Sequence, residues 1–252
     1  MIEAAQYPIE VHTVETSDGY LLSMHRIPYG KTNNTMENRP IVFGMHGMLC
    51  SSADFVVTGP GHAMSYVFAD AGYDVWLGNA RGNTFSKNHM YMSTKIPTFW
   101  NFTWHEIGEY DVPAMIDYIL ERTNQTSLHY VGHSQGVTTI LVTLSLLPQY
   151  NKKLITMHGM APVAFMRHIP NPALRMLSKF TDQLEQVLIN NQMYEFLPSS
   201  NISRLVGSIM CNDEAVTQEI CSNALFLVCG FDSEQLNRVR RIYFLERSFL
   251  SV

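Results

Sequence analysis

Apolar and polar positions alternate from residue 11 to residue 28, with Val11 and Val14 ahead of Ser17-Asp18-Gly19 and Leu21 to Ile27 after it. A period of two interrupted by a turn triplet predicts a β-hairpin. A polar, Asn-rich stretch from Lys31 to Arg39 then ends at Pro40, and the continuous apolar run Ile41-Val42-Phe43-Gly44-Met45 predicts a strand buried on both faces. Residues Gly61 to Ala71 predict a helix, and Tyr73-Asp74-Val75-Trp76-Leu77 a second buried strand. Between Trp104 and Arg122, Ile107, Tyr110, Ala114, Met115, Tyr118 and Ile119 recur at spacings of three and four, the period of a helix packed by one face. Pro113 in its middle predicts a kink or a late start. Ser127 to Val131 reads as a strand, Gln135 to Leu147 as a helix stopped by Pro148, and Leu154 to Met157 as a strand running on toward Gly159 and Ala161.

Strands alternating with helices require crossover connections, so the fold class is α/β: a mostly parallel sheet with helices on both faces. After Pro162 the pattern changes. Pro170, Pro172 and Pro198 punctuate short amphipathic helices such as Ala173 to Phe180 and Leu184 to Leu188, and no strand-like run returns before Ala224 to Cys229. The expected organisation is therefore the N-terminal part of the core over 1–165, a helical cap over 166–223, a return toward the core over 224–237, and a tail over 238–252.

Composition narrows the function classes. With 46% hydrophobic and 15% charged residues, the 252-residue chain can bury one sizeable core. Its net charge of −5 and the lack of a Lys/Arg run before the last fifteen residues exclude an electrostatic footprint for nucleic acid. No apolar run approaches the roughly 18 residues of a membrane span. The first ten residues lack the basic and apolar regions of a signal peptide, whereas four N-x-[ST] sequons, at Asn33, Asn101, Asn124 and Asn201, point to the secretory pathway. Cys50 stands apart, and Cys211, Cys221 and Cys229 cluster without a CxxC pair, so neither zinc nor any other metal or cofactor is expected. The spacing is compatible both with a disulfide within the late cluster and with buried thiols.

The sharpest chemical signal is Gly132-His133-Ser134-Gln135-Gly136, a G-x-S-x-G element between a strand and a helix. A turn that tight admits only small residues at the flanking positions and lifts the Ser134 hydroxyl above the sheet edge, where the helix N-terminus faces any anion formed. The other reading is an ordinary βα turn with a capping serine. His46-Gly47-Met48-Leu49, also at a strand end, matches the loop that supplies an oxyanion-hole amide, so the N–H groups of Met48 and Gln135 are the candidate donor pair. The Met48 side chain can pack in the core at the same time, since only its N–H is recruited. His46 is read as shaping the loop, and His133 as pointing away from Ser134. A hydrolase of this order needs an Asp or Glu and then a His after the serine. The histidines that follow are His158, at a strand end, and His168, in the cap; Asp182, Asp213 and Asp232 read as solvated cap residues.

At these motifs the chain resembles the acid lipases: the gastric and lysosomal lipases and their insect relatives. The resemblance runs through Asp18-Gly19-Tyr20, His25 to Gly30, Asp70 to Asn83 and Tyr110-Asp111. It continues through Leu128 to Gly136, Ala161 to Ala164, Cys221 to Leu225 and Cys229 to Asp232, covering about Tyr7 to Asn237. It implies an α/β-hydrolase core with a helical lid, Ser134 as nucleophile, and Met48 and Gln135 as oxyanion donors. It further implies hydrolysis of triacylglycerols or sterol esters at a lipid-water interface, a Cys211–Cys221 disulfide, and a secreted or lysosomal destination. The departures are the missing leader, the missing last strands with the family's catalytic Asp and His, and the tail from Arg238. On that reading the chain as written is a serine ester hydrolase by family but inactive; the alternative is a catalytically silent lipid-binding fragment.

Overall fold

The computed structural model describes residues 1–31, 38–165 and 178–191, with the single positions 167, 175 and 194. It divides into two compact units, Met1–Ala164 and Phe165–Val252.

The first unit is built on one sheet. Strands β1 (Glu10–Glu15) and β2 (Tyr20–Ile27) form the hairpin expected around Ser17-Asp18-Gly19, with Glu10 opposite Arg26 and Glu15 opposite Leu21. Next come β3 (Ile41–Met45), helix α1 (Met64–Asp70), β4 (Asp74–Leu77) and the two-residue strand β5 (Asn88–His89). A helical turn α2 (Trp104–Glu106) leads into α3 (Val112–Thr123), then β6 (Leu128–His133), α4 (Gln135–Leu146) and β7 (Leu154–Met160). The strand order is β1-β2-β4-β3-β6-β7, with β5 pairing β2. The pairs β3–β4, β3–β6 and β6–β7 are parallel, and β2 joins β1 and β4 antiparallel.

The two faces of the sheet follow from the two-residue period of its strands. Ile41, Phe43 and Met45 of β3, Trp76 of β4, and Leu128 and Tyr130 of β6 enter one apolar cluster with Met115, Ile116 and Ile119 of α3 and Ile140 of α4. The intervening Val42, Val75, Leu77 and Val131 enter a second cluster with Tyr66 and Ala69 of α1. Continuous apolar runs in β3 and β4 thus reflect burial on both faces.

Two details depart from the sequence pattern. The helix read as beginning at Trp104 changes pitch: residues Ile107–Asp111 wind as a π-turn, closed by the Val112 N–H donating to the Ile107 carbonyl, and α3 proper starts with Pro113 in its first turn. Proline has no N–H to give the preceding turn, so the wider turn is tolerated just there. Strand β6 also runs two residues beyond Val131, to His133, which carries it up to the serine.

The second unit holds helix α5 (Thr181–Asn190), on which Asp182, Val187 and Ile189 are exposed. Half of the expected helix over 173–180 lies outside the described residues, and residues 178–180 form a turn and a bend. His168, Asp213, Asp232, Cys211, Cys221, Cys229, Asn33, Asn201 and the segment 201–252 lie outside them entirely. Among the described residues no helix is long and apolar enough to cross a membrane.

Candidate active site

Ser134 sits where β6 turns into α4, with φ 51° and ψ −112°. A non-glycine residue held there costs about 1–3 kcal/mol and persists only if its surroundings dictate it. They do so here. The Ser134 N–H donates to the Met160 carbonyl of β7 at 2.8 Å, and the Ser134 carbonyl accepts from the Val137 N–H at 3.0 Å. The flanking glycines are required by contact: a Cβ on Gly136 would lie 2.2 Å from the Met45 carbonyl oxygen, and one on Gly132 would lie 2.8 Å from the Gly136 carbonyl carbon. The hydroxyl-bearing residue is half-buried.

The loop after β3 is packed against this turn. A Cβ on Gly47 would approach the Ser134 Cβ to 3.2 Å and the His133 ring to 3.1 Å, so glycine is what lets the two strand ends meet. Residues Gly47 to Cys50 form a tight turn, closed by the Cys50 N–H on the Gly47 carbonyl at 3.3 Å, with Leu49 at φ 60°. The Met48 side chain is 57% exposed, so it does not pack in the core as the sequence allowed; a turn position throws it outward. Among the described residues, neither the Met48 nor the Gln135 N–H has a hydrogen-bond acceptor.

His46 fixes the peptide that follows it. The Ala80 N–H donates to its Nε2 at 3.1 Å, so the ring proton is on Nδ1, which donates to the Gly47 carbonyl at 2.7 Å. Burial pushes its pKa down and keeps the imidazole neutral. The Asn83 amide lies 3.1 Å from Nε2 and donates to the Asn79 Oδ1, which also receives the Ser52 N–H. That is the loop-shaping role read from the sequence.

His133 is half-buried, and its Nδ1 lies 2.9 Å from the Asp54 Oδ2, which the Gly47 N–H also approaches at 3.4 Å. The hydrogen bond to Asp54 holds the His133 pKa above its ordinary value. A pair of this kind contributes stability that is complete below the unfolded histidine value of about 6.5 and is lost as pH rises through the raised folded value. The stability advantage of the wild type over Asp54→Asn should therefore shrink as pH climbs above about 6.5, and an NMR titration should show the His133 midpoint lower in the variant. An unchanged midpoint would show that the carboxylate does not hold the proton.

Behind the loop lies a buried ionic cluster. The Arg81 Nε donates to the Asp111 Oδ1 at 2.8 Å and its backbone N–H to the Asp111 Oδ2 at 2.9 Å, while its terminal nitrogens reach both Asp18 oxygens at 2.6 and 2.9 Å. The guanidinium lies 4.0 Å from the Tyr20 ring centroid. These carboxylates keep the Arg81 pKa above its ordinary value against the cost of its burial. The cluster anchors the loop 78–83 that touches His46.

Of the other sequence candidates, His158 on β7 is exposed and hydrogen-bonds the Thr156 hydroxyl at 3.0 Å. Asn101 and Asn124 are exposed. Sequence reasoning missed Asp54 as a partner of the site; a lone acid in Ser51-Ser52-Ala53-Asp54 carries no signal of a contact to residue 133.

The sequence profile described as alpha/beta hydrolase fold matches residues 40–195, more than half of the chain. The chain belongs to the alpha/beta hydrolase fold family. Residues 1–59 of the chain also match the profile of a partial alpha/beta-hydrolase lipase region. Among similar curated proteins, Lipase 3 of Drosophila melanogaster is 48% identical over 236 residues, covering 94% of this chain and 60% of that protein. A gastric triacylglycerol lipase of Mus musculus is 40% identical over 238 residues, covering 94% and 59%. Another, from Homo sapiens, is 38% identical over 249 residues, covering 98% and 62%. The chain thus spans about 60% of the length of the lipases it matches.

Proposed function

We propose that this hydrolase is built for lipase chemistry, cleaving triacylglycerols or sterol esters through Ser134. The observation that carries the reading is the strained Ser134 turn packed against the Gly47 loop. In the reaction, a general base takes the Ser134 hydroxyl proton as Oγ adds to the ester carbonyl. The oxyanion is received by the Met48 and Gln135 N–H groups, the alcohol leaves with the proton, and water then releases the fatty acid from the acyl-enzyme. His46, being neutral and committed at both nitrogens, serves the loop and leaves the proton transfer to another group. The similar lipases support the ester substrate, and the exposed sequon residues Asn101 and Asn124 go with a secreted or lysosomal destination.

A second reading, a chain that binds lipid esters without turning them over, is favoured by the engagement of His133, the imidazole next to Ser134, with Asp54. The two separate in one assay on emulsified triacylglycerol. Hydrolysis predicts fatty-acid release at least about 10³-fold above the uncatalysed rate; adsorption to the emulsion with no release supports the second reading instead.

A further inference from the structure

The end of the sheet away from Ser134 holds a feature that ester hydrolysis does not use. Strands β3, β4 and β6 are parallel; Ser134 follows the last residue of β6, whereas Arg39 precedes β3 and Asp74 opens β4. At that opposite end a cavity of about 340 Å³ is lined by Arg26, Tyr29, Arg39, Asp74, Arg122 and Gln125, among others.

The charges around it do not balance. Arg26 is matched, its Nε and Nη2 donating to the two Asp74 oxygens at 2.8 Å each and its Nη1 to the Glu10 carboxylate at 2.9 Å. Both oxygens of Asp74 are thereby taken. Arg39 is only 7% exposed, and its two terminal nitrogens are buried without a hydrogen-bond partner among the described residues. Its guanidinium lies 5.9 Å from the Tyr29 ring centroid, and its carbonyl accepts from the Gln125 side-chain amide at 2.8 Å, so the residue is held in place from both sides. Arg122, exposed on the same cavity, has no ion pair among the described residues. Two cations therefore line the cavity, Arg122 exposed and Arg39 buried, with no matching anion among the described residues.

A buried guanidinium without acceptors is among the least favourable groups a fold can hold, unless a charged partner arrives from outside. Guanidinium presents its N–H groups as a fork that fits two oxygens of one oxyanion. Two unmatched cations suit a dianion, and phosphate esters carry nearly two charges at neutral pH. The cavity is of the size, roughly 300 Å³ and above, that holds a small organic molecule. We propose that this cavity binds the phosphate group of a small molecule or a lipid headgroup, with Arg39 as its principal counter-ion and Arg122 as the second. The assignment is independent of the hydrolase mechanism, because none of these residues belongs to the Ser134 site.

The test is thermal unfolding of the 252-residue chain in sodium phosphate against sodium chloride at equal ionic strength, for wild type, Arg39→Met and Arg122→Gln. Phosphate at several times its Kd should raise the wild-type Tm by about 2–4 °C in a saturable way. Without phosphate, Arg39→Met should melt above the wild type, because an unmatched buried charge is gone, and it should not respond to phosphate. Arg122→Gln should fold normally and respond to phosphate at several-fold higher concentration. A parallel arm sediments each protein with phosphatidylcholine vesicles with and without phosphatidic acid. Binding to the phosphatidic acid vesicles that Arg39→Met abolishes, with no effect of free phosphate, assigns the site to a headgroup; the converse assigns it to a soluble phosphate. Equal phosphate responses in wild type and Arg39→Met would reveal a general salt effect and overturn the proposal. So would no wild-type response in either arm, or an Arg39→Met protein that melts below the wild type without phosphate.

Discussion

Replacing Ser134 with alanine is expected to remove ester hydrolysis and fluorophosphonate labelling together, by at least about 10³-fold, while leaving the thermal transition in place or raising it. The chemical half of the expectation follows from the role of Oγ: without it no acyl-enzyme forms, and the two amides can stabilise an oxyanion only from an attacking water. The stability half follows from the turn. Ser134 is held at φ 51° by the contacts of Gly132 and Gly136 and by the Met160 carbonyl, none of which involves the hydroxyl. Alanine occupies the same backbone with the same Cβ, so strain is unchanged and no side-chain hydrogen bond of the described residues is lost. A variant that both unfolds and loses labelling would mean the serine is structural, and the ordinary capping-turn reading would be the better one.

Arg81→Met is expected to cost about 3–5 kcal/mol, a large part of a typical total of about 5–15 kcal/mol. The reason is what remains. Asp111 is completely buried, with the guanidinium on its Oδ1 and only the residue-81 backbone N–H on its Oδ2, so removing the cation leaves a buried carboxyl group with that one backbone donor and no counter-ion. Asp18 is partly exposed and can turn to water, so most of the penalty falls on Asp111. Denaturant titration should show a lower midpoint with an unchanged slope, and Arg81→Met with Asp111→Leu should recover part of the loss, since replacing both partners removes the stranded charge. Labelling of Ser134 should slow in the single variant as well, because loop 78–83 carries the Ala80 and Asn83 contacts to His46 and thus the peptide of Gly47 and Met48. A loss under about 1 kcal/mol would show that the cluster is an exposed-type pair of little consequence.

What could be read from the residues is explained by where information is local. The hairpin, β3, β4, β6 and α4 were legible because period-two and period-3.6 patterns need only near neighbours, and the turn at Ser134 because Gly-x-Ser-x-Gly compresses strand, bend and helix into one window. His46 was placed correctly as a loop residue for the same reason: it closes a strand. The Asp54 contact to His133 joins residues 79 apart in the chain, and nothing in either neighbourhood announces it. Asp18, Arg81 and Asp111 were visible as parts of recurring motifs, yet their union in one buried cluster depends on three elements meeting. The two-residue β5 and the π-turn escaped because each is set by its partners and by the missing N–H of Pro113 rather than by a repeat of its own. The exposed Met48 side chain shows the limit from the other direction, since an apolar residue in a tight turn has no room to reach the core.

Whether the Ser134 hydroxyl is an activated nucleophile can be decided by treating the 252-residue chain with a fluorophosphonate and mapping the adduct by peptide mass spectrometry. One phosphonylated site is expected, on Ser134, absent after heat denaturation. Modification of other residues with Ser134 untouched, or equal modification before and after denaturation, would contradict it.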